Sequence, residues 1–261
     1  MAESAAAGYL QARLQARHGQ RPGEDEWRRI EASVDVLHYL DAVRQTPLKR
    51  WVRGVSPDSS SSEIERLVRA NWRDVVEQGA AWAPKAWRDM LLWCRWLPDL
   101  PSLAHLLGGG AVEPWMEKDA VIGTFARERP ALCLNALSDT ELAPMQSALA
   151  SGSDVREAWE AVFQDLLPSA ASAATAAEIE QLIRIADRHF EEMAEVPDDR
   201  DGQALRAELG ERFRRVFRRA AGTVAALFAF LGLEGLDAER VRAGLVTRRL
   251  LRRVPEGLTW A

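Results

Sequence analysis

Apolar residues recur at steps of three and four along most of this chain. In one clear example they fall at Ile64, Leu67, Val68, Trp72, Val75 and Val76. This spacing places them on one face of a helix and leaves the charged positions between them outside. No run of four or more alternating β-branched residues bounded by turn dipeptides occurs. The pattern predicts an all-α protein of ten or more helices.

Composition favours the same fold class. The 261 residues include 42 Ala and 31 Leu, whereas Val, Ile and Thr together number 31. Ala and Leu lose little side-chain entropy in a helix. A chain of this length can bury a large core without a metal or a disulfide, and its two cysteines are too few for a disulfide scaffold.

Several helix starts can be predicted from capping residues. Capping boxes are indicated at Ser62–Glu65, Ser138–Glu141 and Thr175–Glu178. Thr46 precedes a proline and is predicted to cap a helix, and Asp237 is predicted to cap a last helix. The loops between the periodic segments are short and set no clear domain boundaries. We describe the chain as three helical regions: a Trp-containing N-terminal region 1–110, a middle region 111–200 and an Arg-rich C-terminal region 201–261.

The longest apolar run covers Thr223–Leu233, which is eleven residues. A membrane-spanning helix needs roughly 20, so we expect this run to form a buried helix. The first residues acquire charge at Glu3 and Arg13 and do not resemble a signal peptide. We therefore expect a cytoplasmic protein without a transmembrane segment.

Charge is distributed unevenly. The net charge is −5, yet the chain from Leu205 onward carries twelve Arg against six acidic residues. The densest group is Arg214, Arg215, Arg218 and Arg219, which form two adjacent rows on one helix face, with Phe213 and Phe217 on the buried side. The group is either a solvated face balanced by the protein's own acidic residues or a binding surface for an acidic partner. We expect no nucleic-acid binding, because the nearby aromatic residues have core-like spacing.

Five of the ten tryptophans fall within residues 82–115. Pro84 is predicted to start a helix that ends at the LPDLP motif, Leu97–Pro101. On such a helix Trp93 and Trp96 share a face. Either these rings pack against neighbouring helices, or they contribute to a partner interface, where tryptophan is enriched.

Candidate catalytic groups are sparse. The two richest clusters lie on helices and comprise Asp35, His38 and Asp41, and Asp187, His189, Glu191 and Glu192. A di-metal site in a helical bundle needs Glu-x-x-His on two helices and two further Glu, which neither cluster supplies. We interpret both as exposed helix charges. The sequence predicts no catalytic, cofactor-binding or metal-binding residue and no enzymatic activity.

The N-terminal segment carries a Tyr-x-x-Ala-Arg pattern at Tyr9, Ala12 and Arg13, continued by Ala16 and Arg17. A break at His18–Gly23, a helix through Leu40 and the segment Val43–Leu48 follow, with Val43 and Leu48 in place of the Leu and Tyr of a Leu-x-x-Thr-x-Tyr element. This order, over some 40 residues, resembles the central-stalk C subunit of V/A-type ATPases, which is related to the eukaryotic d subunit.

The resemblance implies an all-helical, funnel-shaped protein of three small lobes that sits on a membrane rotor ring and receives the central shaft, in an ion-transport complex. That role has no catalysis and no cofactor. It implies protein partners among the components of a membrane complex and a peripheral position on the inner membrane face. The alternative is a free-standing cytoplasmic helical adaptor or regulator of another enzyme complex.

Overall fold

The computed structural model describes residues 2–195 and 202–251. Within these ranges the chain forms fourteen α-helices and no strand, which confirms the all-α prediction. In chain order the helices are α1 (Ala2–His18), α2 (Glu24–Glu31), α3 (Val36–Arg44), α4 (Ser61–Trp82), α5 (Arg88–Trp93), α6 (Leu100–Leu107), α7 (Pro114–Lys118), α8 (Ile122–Phe125), α9 (Pro130–Ala136), α10 (Gln146–Ala150), α11 (Val155–Asp165), α12 (Ala173–Ala194), α13 (Gly202–Arg219) and α14 (Val224–Leu251).

The helices group into two compact units. Unit 1 combines residues 1–91 and 169–261, and unit 2 is the intervening segment Leu92–Pro168. These units do not coincide with the three regions 1–110, 111–200 and 201–261, because the helices of the last third pack onto those of the first. Arg252 and Arg253 of the Arg-rich region lie outside the described residues, as does most of the charged turn at 196–202.

Helix α14 forms the centre of unit 1. Its first eight residues, from Val224 to Leu231, are all buried. A helix that is apolar around its whole circumference must be covered on every side. Along its whole length α14 packs against α1, α3, α4, α12, α13 and the 3₁₀ helix Pro47–Val52. The expectation of a buried helix over Thr223–Leu233 is thus confirmed for Val224–Leu233.

Among residues 2–195 and 202–251, no helix combines the length and the apolar composition that crossing a bilayer requires.

Two glycines of α14 let neighbouring aromatic rings approach its backbone. A Cβ atom at Gly232 would lie 2.7 Å from Phe213 Cε2, and one at Gly244 would overlap the Tyr39 hydroxyl. Phe213 belongs to α13 and Tyr39 to α3, and both rings are buried. The two glycines therefore fix how closely α13 and α3 pack against α14.

Several helix starts differ from the predicted ones. The capping box of α4 consists of Ser60 and Glu63, two residues earlier than predicted. Helix α12 begins after Ser172, whose hydroxyl accepts a hydrogen bond from the Thr175 backbone N–H, so the box predicted at Thr175–Glu178 is wrong. In both cases a second small polar residue nearby offered an alternative cap. No α-helix begins at Ser138–Glu141, so the third predicted box is wrong as well.

Two further predictions on helix ends have opposite outcomes. The Thr46 hydroxyl accepts a hydrogen bond from the Leu48 backbone N–H, as an N-cap should, although the helix that follows is the 3₁₀ helix Pro47–Val52. Asp237 is not a cap, because α14 continues through it. The apolar run and the segment predicted as a separate last helix are one helix of 28 residues.

The tryptophan segment is not one helix from Pro84 to Leu97. It consists of a 3₁₀ turn at Lys85–Trp87, then α5, then a second 3₁₀ segment at Cys94–Asp99. Pro101 stands in the first turn of α6, where a missing backbone N–H costs nothing. The LPDLP motif therefore starts a helix where we predicted it to end one.

Replacing Gly232 with Ala should lower the free energy of unfolding by about 1–3 kcal/mol, because the new methyl group overlaps the buried Phe213 ring. Gly8→Ala is the matched control, since a Cβ there meets nothing within 4 Å. This control should be neutral or stabilising, by up to about 1 kcal/mol, because Ala is the better helix former. Urea unfolding of both variants measures the difference, and an equal effect of the two substitutions would contradict the close contact.

Candidate functional site

The four-arginine group predicted from the sequence lies on the outer side of α13. Phe213 and Phe217 face inward and are 9% and 1% exposed. Arg215, Arg218 and Arg219 are exposed, and Arg214 is partly exposed. The predicted orientation of this helix is therefore correct.

Two of the four arginines contact other residues of unit 1. Arg214 Nη2 lies 2.8 Å from Glu211 Oε1 on the preceding turn. Arg219 donates to Gln181 Oε1 of α12 over 2.5 Å, and its Nε lies 4.0 Å from Glu178 Oε1. Arg214 and Arg219 are thus paired with acidic and amide groups of the protein itself.

Arg215 and Arg218 differ from the other two. Across residues 2–195 and 202–251 neither side chain has a hydrogen bond or ion pair, and both are exposed. The carboxylate of Glu211 is bound by Arg214, which lowers its pKa most, and the other two arginines act on it only from a distance. Arg218 stands in the last turn of α13, where a cation interacts favourably with the helix dipole. Arg215 lies further from the helix end and lacks that compensation.

Trp93 and Trp96 lie in the interior, at 6% and 8% exposure. Trp93 Nε1 donates to the backbone oxygen of Trp159 over 3.0 Å, and Trp159 Nε1 donates to the backbone oxygen of Trp93 over 3.4 Å. This reciprocal pair joins the end of α5 to α11 within unit 2. Of the two interpretations of these rings, their burial agrees with internal packing.

The Tyr-x-x-Ala-Arg segment divides into an inner and an outer face of α1. Leu10 and Leu14 are buried at 2% and 0% exposure and hold the helix against unit 1. The outer face carries an exposed Tyr9, whose hydroxyl accepts a hydrogen bond from Arg13 Nε over 3.0 Å. Ala12 and Ala16 are exposed on the same side. Most residues of this pattern are therefore not used in packing.

Helix α1 is a neighbour of the C-terminal end of α13. The rings of His18 and Phe217 lie 4.5 Å apart, centroid to centroid. Gln11 Oε1 accepts a hydrogen bond from the Gly222 backbone N–H, just after α13. The outer face of α1 and the arginines of α13 thus belong to adjacent helices of unit 1.

The two histidine and carboxylate clusters lie on α3, with its N-cap residue, and on α12. Asp35 caps α3 through the backbone N–H of His38, and that hydrogen bond holds the pKa of Asp35 below its usual range. His38 is exposed, as predicted. His189 is not exposed, since it is only 8% accessible in α12, and burial lowers its pKa. The interpretation of the second cluster as exposed charges is therefore wrong for His189.

Within the part of the chain that the structure describes, no group of three or more His, Cys, Asp or Glu side chains is arranged to hold a metal ion. Unit 2 carries an open apolar cleft of about 360 Å³, with lining that includes Leu107, Leu134 and Leu149. Asp154, at its edge, caps α11 by accepting a hydrogen bond from the Glu157 backbone N–H.

A cluster of buried charges in unit 1 was not predicted from the sequence. Asp237 of α14 is 5% exposed and receives two hydrogen bonds of 2.8 Å from Arg21, which stands between α1 and α2. Arg21 also donates to the backbone oxygen of Leu233 over 3.2 Å. This bidentate pair ties the end of α1 to the middle of α14.

Glu234 completes the buried-charge cluster three residues earlier on α14. It is 0% exposed, and its Oε1 lies 2.9 Å from Nη2 of Arg50 in the 3₁₀ helix Pro47–Val52. Glu234 Oε2 and Arg50 Nε are buried without a hydrogen-bond partner. Burial raises the pKa of Glu234 to about 7, even though Arg50 acts in the opposite direction.

The sequence contains one signal for this cluster. Glu234 and Asp237 are three residues apart and immediately follow the apolar run, so they fall on one helix face if that helix continues. The sequence predicts a new helix at Asp237, which places this carboxylate at a helix end and not in the interior. Arg21 and Arg50 gave no local signal, because their partners lie 216 and 184 residues away.

Comparison with protein-family models, with curated proteins and with solved structures returns no match to this chain.

Breaking the Arg21–Asp237 pair should destabilise unit 1 strongly. Arg21→Met leaves the Asp237 carboxylate buried without its partner, which typically costs about 3–5 kcal/mol. The double variant Arg21→Met/Asp237→Leu should lose less, because no charge then remains unpaired. Urea unfolding followed by circular dichroism measures both losses.

Arg28→Met is the matched control for that experiment. Arg28 forms an ion pair with Asp25, but the two side chains are 74% and 89% exposed. A surface pair contributes about 0–1 kcal/mol, so this variant should unfold almost like the wild type. Equal losses from Arg21→Met and Arg28→Met would contradict the buried assignment.

Proposed function

We propose that this protein is a non-catalytic coupling or assembly subunit that docks on a membrane complex through an acidic surface of its partner. The observation that carries the proposal is the exposed pair Arg215 and Arg218, which forms no ion pair with an acidic side chain among the described residues. Like charges on neighbouring turns are mildly unfavourable in an isolated helix. An acidic partner would offset that cost.

The residues around the pair favour a protein partner over a single-stranded nucleic acid. Binding of single strands uses exposed aromatic rings on which bases stack. The aromatic residues nearest in sequence, Phe213 and Phe217, are buried against α14 and its neighbours. Arginine and tyrosine are both enriched at protein interfaces, and Tyr9 is 49% exposed on the adjacent α1.

The resemblance of the N-terminal segment supports a membrane complex as the docking site. The residues that carry it include Tyr9, Ala12 and Arg13, and these lie on the outer face of α1 instead of in the core. Residues that do not stabilise the fold are available for binding. In this proposal the protein associates with the membrane peripherally, through the complex, and needs no cofactor.

Replacing Arg215 and Arg218 together with Gln should weaken docking by roughly tenfold and flatten its salt dependence. The melting temperature should stay nearly unchanged, since exposed charges contribute little to folding. The measurement is retention of partners from detergent-solubilised membranes and from the soluble fraction of the native cell, on immobilised wild-type and variant chains. Mass spectrometry identifies what is retained.

The matched control is Arg29→Gln/Arg66→Gln, which removes the same two charges from exposed positions on α2 and α4. It should retain partners like the wild type. The double variant Arg214→Gln/Arg219→Gln tests the two arginines that make contacts within the protein. It removes the contacts to Glu211 and Gln181 and should therefore lower the melting temperature slightly.

The identity of the retained proteins decides between the two functions. Components of a membrane complex, lost with Arg215→Gln/Arg218→Gln, would support the proposal. Loss of a soluble enzyme alone would favour the free-standing adaptor. Equal retention by the wild type and this variant would remove the pair from the interface and overturn the docking proposal.

A further inference from the structure

Glu234 is the most completely buried ionisable side chain of the buried-charge cluster, and one of its oxygens has no partner. We propose that Glu234 is a proton-binding site inside unit 1 and that its protonation loosens the 3₁₀ helix Pro47–Val52 from α14. The ligand of this site is a proton, and its binding weakens the contact between Arg50 and Glu234. This inference is independent of the docking proposal.

The geometry leaves the ionised carboxylate poorly stabilised. Glu234 has one charge-assisted hydrogen bond, to Arg50, whereas a buried carboxylate is well stabilised by two or three donors. Asp237 adds a second negative charge on the same helix face, and Arg21 is already committed to it by two hydrogen bonds. A proton on Glu234 neutralises this poorly stabilised carboxylate and removes the anionic partner of Arg50, so the contact between α14 and the 3₁₀ helix becomes weaker.

The charged groups with the largest effects on Glu234 act in known directions. Arg50 from the 3₁₀ helix, Arg21 from the segment after α1 and Arg17 from α1 all lower its pKa. Burial and Asp237 raise it, and burial is the largest effect.

His18 is a histidine that interacts with the buried-charge cluster. It interacts with Asp237 and with Arg21, and across from it stand Arg214 and Arg218 of α13. Burial and these arginines lower the pKa of His18 below its ordinary value of 6.5. A titration midpoint near pH 7 therefore reports Glu234 and not His18.

Through Glu234, global unfolding and local opening should depend on pH with opposite signs. The pKa of Glu234 is about 7 in the folded protein and 4.5 when the chain is unfolded and solvated. Between those values the folded state binds more protons than the unfolded state. The contribution of Glu234 to stability against global unfolding should therefore fall as the pH rises from about 4.5 to about 7. The lowered pKa values of His18 and His189 contribute with the opposite sign.

In the local opening that we propose, Arg50 moves away from Glu234 while the carboxylate stays out of water. Without Arg50, whose charge lowers the pKa of Glu234, that pKa rises further. The opened state then binds a proton more tightly than the closed state, so opening becomes easier as the pH falls toward 7. At higher pH, opening would leave an unpaired carboxylate in the interior, which is strongly unfavourable.

Two measurements on the full-length wild-type chain test the inference. In a carbon-13 NMR titration of labelled glutamate carboxyls, Glu234 should show a midpoint near pH 7. Amide hydrogen exchange of residues 49–52, corrected for intrinsic rates, should show a larger opening constant at pH 7 than at pH 9. The expected ratio is about tenfold for each unit by which loss of Arg50 raises the pKa of Glu234.

Variants assign these signals. Glu234→Gln should remove the pH dependence of opening and the Glu234 contribution to the pH dependence of global stability. Arg50→Gln should move the Glu234 midpoint upward. Glu239→Gln is the control on the same helix, since Glu239 is a half-exposed carboxylate paired with Arg206, and it should change neither. A Glu234 midpoint near 4.5, or a pH-independent opening constant of residues 49–52 in the wild type, would overturn the inference even if a variant fails to fold.

Discussion

The structure of unit 1 depends on burying α14 along most of its length. The residues from Val224 to Leu231 are buried around the whole circumference, so no two-layer arrangement could cover them. Helices from the first third of the chain and from the last third must therefore meet around α14. This requirement explains why unit 1 is assembled from two distant segments while residues 92–168 form a unit of their own.

Because α14 is buried, its charged residues restrict which segments of the chain can pack beside it. Glu234 and Asp237 enter the interior with the helix, and each needs a cation at one particular place. Arg21 supplies it from the segment between α1 and α2, and Arg50 supplies it from the 3₁₀ helix Pro47–Val52. Apolar surfaces alone would tolerate small shifts between these segments, whereas a bidentate pair fixes both distance and orientation. The cluster thus determines which segments lie beside the middle of α14.

Helix α13 has one side buried against α14 and one side exposed. Its inner side packs Phe213 against Gly232 of α14, and its outer side carries the arginines. Arg212 joins it to α12 through Glu192, and Arg219 does so through Gln181. Arg215 and Arg218 are left over from this internal pairing, which is why they carry the docking proposal. The outer face of α1, next to α13, adds an exposed Tyr9 to the residues available for binding.

Sequence patterns determined the fold class, the buried helix at Thr223–Leu233 and the orientation of α13, because each follows from helical periodicity within a single segment. The capping residues were placed less well, since several small polar residues near one helix start can each accept the same backbone hydrogen bond. Local patterns could not determine the continuation of α14 through Asp237, the burial of His189 or the burial of Trp93 and Trp96. Those outcomes, and the pairing of Glu234 with Arg50, depend on contacts between residues far apart in the chain, and only the tertiary structure decided them.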